Sequence, residues 1–234
     1  TPREHDFGLV EVSQSASVTL TIMSENVTAL NASITNTTDY SISAITDAAD
    51  GNKQITVTYT PTNGNTHEAT LTIASTTVGE EASFDVTLSG QGMVVENSIW
   101  TLVEDVNDLQ FGDQIVIAAA EYDYALSTNQ KTNNRDAVTI INNGDKTIKI
   151  HSLVQVITLE EGVTSGTWSF NVGAKGYLYA DGVDENWLKS KTTKDANGSW
   201  TISITDGKAS VLGQGGNARE TMLYNDNNEI FSCY

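Results

Sequence analysis

The stretch SASVTLTIM, residues 15–23, alternates small or hydroxylated side chains with Val18, Leu20 and Ile22. Successive side chains of a β-strand point to opposite faces. Period-two alternation of this kind therefore reads as a strand with one buried and one wet face. The same pattern returns in KQITVTYT (53–60), with Ile55, Val57 and Tyr59. It returns again in HEATLTIA (67–74), with Ala69, Leu71 and Ile73, and in ASFDVTLS (82–89), with Phe84, Val86 and Leu88. No stretch of the chain sustains the i, i+3, i+4, i+7 spacing of an amphipathic helix. The expected class is all-β.

Adding FGLVEV (7–12), LNASI (30–34) and YSISAI (40–45) gives about seven short strands within the first ninety or so residues, separated by turns such as DAADGN and PTNGN. That density predicts an immunoglobulin-like β-sandwich over 1–92. GQGMVVENS (90–98) reads as the connection, with 93–98 as the linker proper. Residues 99–234 repeat a coarser unit. YDYALSTNQ (122–130), KGYLYADGV (175–183) and RETMLYNDN (219–227) each place aromatic or apolar residues ahead of a polar turn, and each follows another strand. Their spacing of about 40–55 residues predicts a β-trefoil-like closed barrel. On this reading the third unit lacks its last strand.

DFGLVEVSQSASVTLTI, ITVTYTPTNGNTHEATLTIAS and FDVTLSGQG together resemble the ASPM/SPD-2/Hydin-type Ig-like domain of bacterial surface and secreted proteins. The shared pattern runs from F-G-x-V through I-x-V-x-Y-x-P to L-x-G-x-G. The resemblance implies a spacer or adhesion module and no chemistry. TLVEDVNDLQFGDQIVIA, YALSTNQKTNNR, NGSWTISI and LYNDNNEIFSCY, with the stretch from Val154 to Ala180, resemble a β domain near the C-termini of Bacteroidetes secreted or lipoprotein-type proteins. That family has no assigned activity. Both resemblances imply a cell-surface or extracellular location.

The chain carries 30 acidic and 12 basic residues, a net charge of −18. The excess is not a tail: 11 acidic and 2 basic residues fall in 1–95, and 19 and 10 in the remainder. Such a field repels phosphate backbones and argues against nucleic-acid binding. The longest apolar run, IVIAAA (115–120), is far short of the roughly 20 residues needed to span a bilayer. A single cysteine, Cys233, leaves no internal disulfide framework. A monomer without cofactor is expected.

Catalytic patterns are thin. Glu80–Glu81, Glu160–Glu161 and Asp184–Glu185 are adjacent pairs, and adjacent strand residues face opposite ways, so they read as solvated turn acids. DAADGN (47–52) and DGVDEN (181–186) are rich in oxygen ligands, but Asp-Gly is also what tight turns require. GQGGNAR (213–219) lacks the following helix that a phosphate loop needs. Cys233 has no histidine near it in sequence and reads as a buried thiol.

The aromatic residues are the stronger signal. Trp100, Trp168, Trp187 and Trp200 all lie in the second region. Trp168 and Trp200 are expected to point inward, and Trp187, beside Asn186 and Lys189, outward. Tyr177 and Tyr179 share one face of a strand. If Leu178 takes the core, both join Trp187 as a platform; otherwise the rings fill the barrel. Arg135 and Arg219, in polar loops, are either fork donors to a ligand or partners of Asp and Glu. Ligand-binding candidates are thus Trp187, Tyr177, Tyr179, Asn186, Arg135 and Arg219, with no catalytic or metal residue. The expected function is a non-catalytic surface or secreted module binding a glycan or a protein. The alternative is a purely structural appendage of a larger secreted hydrolase or nuclease.

Overall fold

A computed structural model of the protein describes residues 3–23, 29–77, 80–182 and 184–234, with the backbone alone for 76–77 and 80–82. The Glu80–Glu81 side chains therefore lie outside the described residues. The chain divides into two compact units, Thr1–Val95 and Glu96–Tyr234. Among the described residues all regular structure is strand, apart from 3-10 turns of three residues. No helix among them is long and apolar enough to cross a membrane.

The first unit contains β1 (Glu4–Glu11), β2 (Ala16–Ile22), β3 (Ala29–Ile34), β4 (Tyr40–Ile42), β5 (Thr46–Asp47), β6 (Lys53–Tyr59), β7 (Thr66–Thr77) and β8 (Glu80–Met93). One sheet runs β1-β8-β7-β3, with β1 parallel to β8. The other runs β2-β6-β4, with β5 added to β6. The opening stretch of sequence is β2. Its Val18 and Leu20 stand opposite Val57 and Ile55 of β6. On the reverse face Ser17 and Thr19 hydroxyls bond those of Thr58 and Thr56 at 2.8 and 3.1 Å. Alternation is thus sorted into apolar cross-strand pairs and a hydroxyl ladder. Leu20, Ile22, Ile55 and Val57 from one sheet and Leu71, Ile73, Val86 and Leu88 from the other form a single buried cluster.

The motif L-x-G-x-G has a steric cause. A Cβ on Gly90 would lie 2.5 Å from the Tyr59 ring, and one on Gly92 only 1.8 Å from the Asn63 carbonyl oxygen. The last strand can pass over Tyr59 and the 61–65 turn only if both positions are glycine. Beneath that turn Asp39 is buried. It accepts bonds from the Thr62 amide (3.0 Å) and hydroxyl (2.8 Å) and from Asn36 Nδ2 (3.1 Å). His67 Nε2 lies 3.6 Å from its Oδ1. Burial raises the Asp39 pKa, but these hydrogen bonds outweigh it and leave the carboxyl below its ordinary value.

The second unit contains β9 (Val95–Thr101), β10 (Gln114–Val116), β11 (Ala118–Ala119), β12 (Tyr124–Gln130), β13 (Arg135–Thr139), β14 (Ile141–Asn142) and β15 (Thr147–His151). It continues with β16 (Val156–Glu161), β17 (Trp168–Asn171), β18 (Tyr177–Asp181), β19 (Trp187–Lys191), β20 (Ser199–Thr205), β21 (Lys208–Gly213), β22 (Met222–Asn225) and β23 (Ile230–Cys233). The residues read as a linker, 93–98, are not an open connection: Met93 ends β8 and β9 begins at Val95.

One seven-stranded sheet runs β10-β16-β17-β18-β19, with β20 and β21 joined through β17. A second runs β11-β12-β13-β23-β22. Two features join them into a nearly closed, barrel-like sheet. A bridge between Leu212 and Thr221 links β21 to β22, and only Ile117 separates β10 from β11, so that strand changes sheets as it bends. The core contains Leu126, Ile157, Leu159, Phe170, Leu178, Leu188, Trp200 and Phe231. Trp200 stacks on Phe170 with ring centres 5.6 Å apart, and its Nε1 donates to the Leu178 carbonyl at 3.1 Å. The inward expectation for Trp200 matches this position. Trp168 is half-buried against the same core.

Two outcomes follow for the first unit. Gly92→Ala is expected to destabilise it by about 1–3 kcal/mol, the usual range for forced overpacking, measured as a lower urea midpoint. The second concerns pH. Because the folded-state Asp39 pKa is depressed, its contribution is complete above its unfolded value of about 3.9 and is lost as pH falls through the lower folded value. Urea midpoints of the wild type should therefore drop below about pH 4, and Asp39→Asn should flatten that drop.

Candidate functional site

The hairpin β18–β19 carries the candidate site, and burial decides which way it faces. Leu178, Ala180 and Leu188 are buried in the core. Alternation then leaves Tyr177 and Tyr179 half-buried on the other face of β18, with Trp187 and Lys189 half-buried on β19. The register pairs Tyr177 with Lys191, Tyr179 with Lys189 and Asp181 with Trp187. The turn between the strands includes Gly182 at φ +84°, a left-handed conformation that glycine adopts freely.

On this face rings and lysines interleave. Lys189 Nζ lies 4.0 Å from the centre of the Trp187 ring, and Lys191 Nζ lies 4.1 Å from that of Tyr179. Lys194 Nζ lies 5.1 Å from the Tyr177 ring centre. These are cation–π distances. Each lysine also has a carboxylate: Lys189 pairs with Asp181 at 3.1 Å, Lys194 with Glu160 at 2.7 Å, and Lys191 with Asp195. The Tyr177 hydroxyl donates to Glu160 Oε2 at 3.1 Å. Hydrogen bonds from Asn171 and Lys194 hold the Glu160 carboxyl below its ordinary value. Burial, and then the Asp181 charge, raise the Tyr179 phenol. Trp187 Nε1 donates to the side-chain oxygen of Asn133 at 3.2 Å, with that amide turned to satisfy both its neighbours. Asn186 is half-buried next to Trp187, and its carbonyl accepts from the Cys233 amide at 3.4 Å.

Arg135 is not in a polar loop. It opens β13 and is fully buried, so it is not a surface fork for a ligand. Among the described residues it makes no ion pair with a carboxylate either. Its Nη2 donates to the Ser127 carbonyl (2.7 Å) and to Gln155 Oε1 (2.6 Å), and its Nη1 to Ser190 Oγ (2.9 Å). Desolvation pulls the guanidinium down to about 10. Arg219 is exposed in the loop before β22 and makes no ion pair among the described residues.

The lysines were the part of the site that sequence reasoning missed. Their signal is present in the alternation. Folding the chain at 182–186 sets W-x-K-x-K of β19 against Y-x-Y-x-D of β18. A separate aromatic group joins Tyr122, Tyr124 and Tyr224, with the Tyr224 ring centre 5.2 and 5.7 Å from those of the other two.

The remaining candidates have ordinary environments. Asp50 accepts from the amide and side chain of Asn52, closing its turn, and Asp47 pairs with Lys53. Cys233 is wholly buried and its thiol is pushed up to about 12. A thiol held protonated at neutral pH is a poor nucleophile. No protein-family model and no curated protein matches this chain.

Removing Arg135 leaves several buried oxygens without donors, each costing about 1–3 kcal/mol. Arg135→Ala should therefore destabilise the second unit by about 3 kcal/mol or more. Lys substitution, which keeps the charge but not the fork, should recover only part of this. Thermal unfolding of the two variants checks both expectations.

Proposed function

We propose that the chain is a non-catalytic binding module of a secreted or cell-surface protein, and that a glycan is its ligand. The observation that carries this reading is the exposed side of the β18–β19 hairpin, where Trp187, Tyr179 and Tyr177 share one face with three lysines. Half-exposed rings offer apolar surface at low entropic cost. Sugar rings present apolar faces rimmed by hydroxyls, and the interleaved ammonium and carboxylate groups match that rim.

The fold types fit the same reading. Two sheets around one core support an Ig-like sandwich of the ASPM/SPD-2/Hydin type for the first unit, acting as a spacer. The nearly closed second sheet system supports a β-trefoil-like barrel as the recognition unit. A second reading has its own observation. Each ring already lies under a lysine, and each lysine already has a carboxylate. A face so fully satisfied would suit a structural appendage of a larger secreted hydrolase or nuclease.

Affinity electrophoresis through gels containing defined polysaccharides separates the two. Retardation by at least one polysaccharide is expected, and Trp187→Ala should weaken it about tenfold or more, equivalent to roughly 1.4 kcal/mol. Free migration in every gel, or unchanged retardation of the variant, contradicts the glycan reading.

A further inference from the structure

Beside the aromatic face lies an open hollow of about 310 Å³ lined by Gln130, Lys175, Lys189 and Ser190. Its charge balance is unusual for this protein. In a chain with 30 acids against 12 bases, carboxylate partners are plentiful. Among the described residues of the second unit, every lysine except Lys149 and Lys175 has one. Lys175 instead donates to the Thr128 carbonyl at 2.6 Å. Arg135, which reaches the hollow's Ser190, is buried and bonds three neutral acceptors, with no ion pair among the described residues. Two cations that make no ion pair among the described residues thus lie close together, and desolvation followed by the Arg135 charge lowers the Lys175 pKa.

The neutral groups of the wall also have unused bonding capacity. Ser190 Oγ accepts from Arg135 Nη1, so its own O–H remains to be donated elsewhere. Gln130 Nε2 donates to the carbonyls of Lys131, Asn134 and Leu188, while its Oε1 is buried without a donor. The hollow therefore combines positive charge on Lys175 with a free hydroxyl donor on Ser190. An oxyanion meets both requirements by accepting from the ammonium and from the hydroxyl.

We propose that this hollow is an anion subsite that takes the carboxylate or sulfate group of an acidic sugar, an inference that rests on the glycan reading above. Lys189 lines the hollow and covers Trp187, so a single chain can lay one residue on the aromatic face and its acidic neighbour in the hollow.

The test compares three oligosaccharides of equal length by isothermal titration: galacturonate, its methyl ester and sulfated galactose. The wild type should prefer one of the two acidic probes over the ester by at least tenfold, and which one identifies the acid. Lys175→Met, which keeps the methylene stem without the charge, should remove that preference. Equal affinity for acid and ester, or a preference that survives in Lys175→Met, overturns the subsite while leaving the aromatic face intact if Trp187→Ala still weakens binding. If none of the three binds, the polysaccharide gels decide the glycan reading, and inorganic sulfate decides the hollow alone. A sulfate-dependent rise in melting temperature at constant ionic strength that disappears in Lys175→Met retains it; an equal response in both proteins overturns it.

Discussion

Leu178, Ala180 and Leu188 enter one core, and that burial dictates what the hairpin of residues 177–191 shows to solvent. A slip of one residue in either strand would exchange the two faces. It would place rings and lysines inside and leucines outside, an arrangement that no hydrogen bonding could compensate. The Trp200 indole donating to the Leu178 carbonyl and stacking on Phe170 anchors the hairpin to the barrel core. The orientation of Tyr177, Tyr179 and Trp187 is thus a consequence of apolar packing beneath them.

Electrostatics divides this face from the hollow beside it. On the face each cation is matched. Lys189, Lys191 and Lys194 each have a carboxylate and a ring, and the acids come from three different segments. At the hollow the pattern changes: among the described residues Lys175, and Arg135 behind Ser190, bond only carbonyl, amide and hydroxyl oxygens. A buried guanidinium bonded to neutral groups costs desolvation that such bonds only partly offset. One of those neutral acceptors, Ser190, lines the hollow.

Much of the strand content was legible because the alternation of Thr and Ser with Val, Ile and Leu is local. Val18, Leu20, Ile55 and Val57 fall inward as their spacing requires. Pairing partners were less legible, since they are set by contacts distant in sequence. Arg135 shows why. Its neighbours Asn133, Asn134 and Asp136 suggest a loop, yet its acceptors lie 8, 20 and 55 residues away. Gly90 and Gly92 could be seen as a motif, but their reason, the Tyr59 ring and the Asn63 carbonyl, needs the folded sheet. The dilemma at Tyr177 and Tyr179 depended on one side chain, Leu178, and its burial resolves it. The lysine ladder was hidden because it emerges only when the register of β18 on β19 is known.

The central claim is that the hairpin face and its adjoining hollow are one recognition surface. Backbone amide shift mapping during titration with an acidic oligosaccharide tests it most directly. The account predicts perturbations concentrated at Lys175, Tyr177–Asp181 and Trp187–Lys191, with Gln130 included. Perturbations confined to the Tyr122–Tyr224 group on the far strands, or scattered over the first unit, would contradict it.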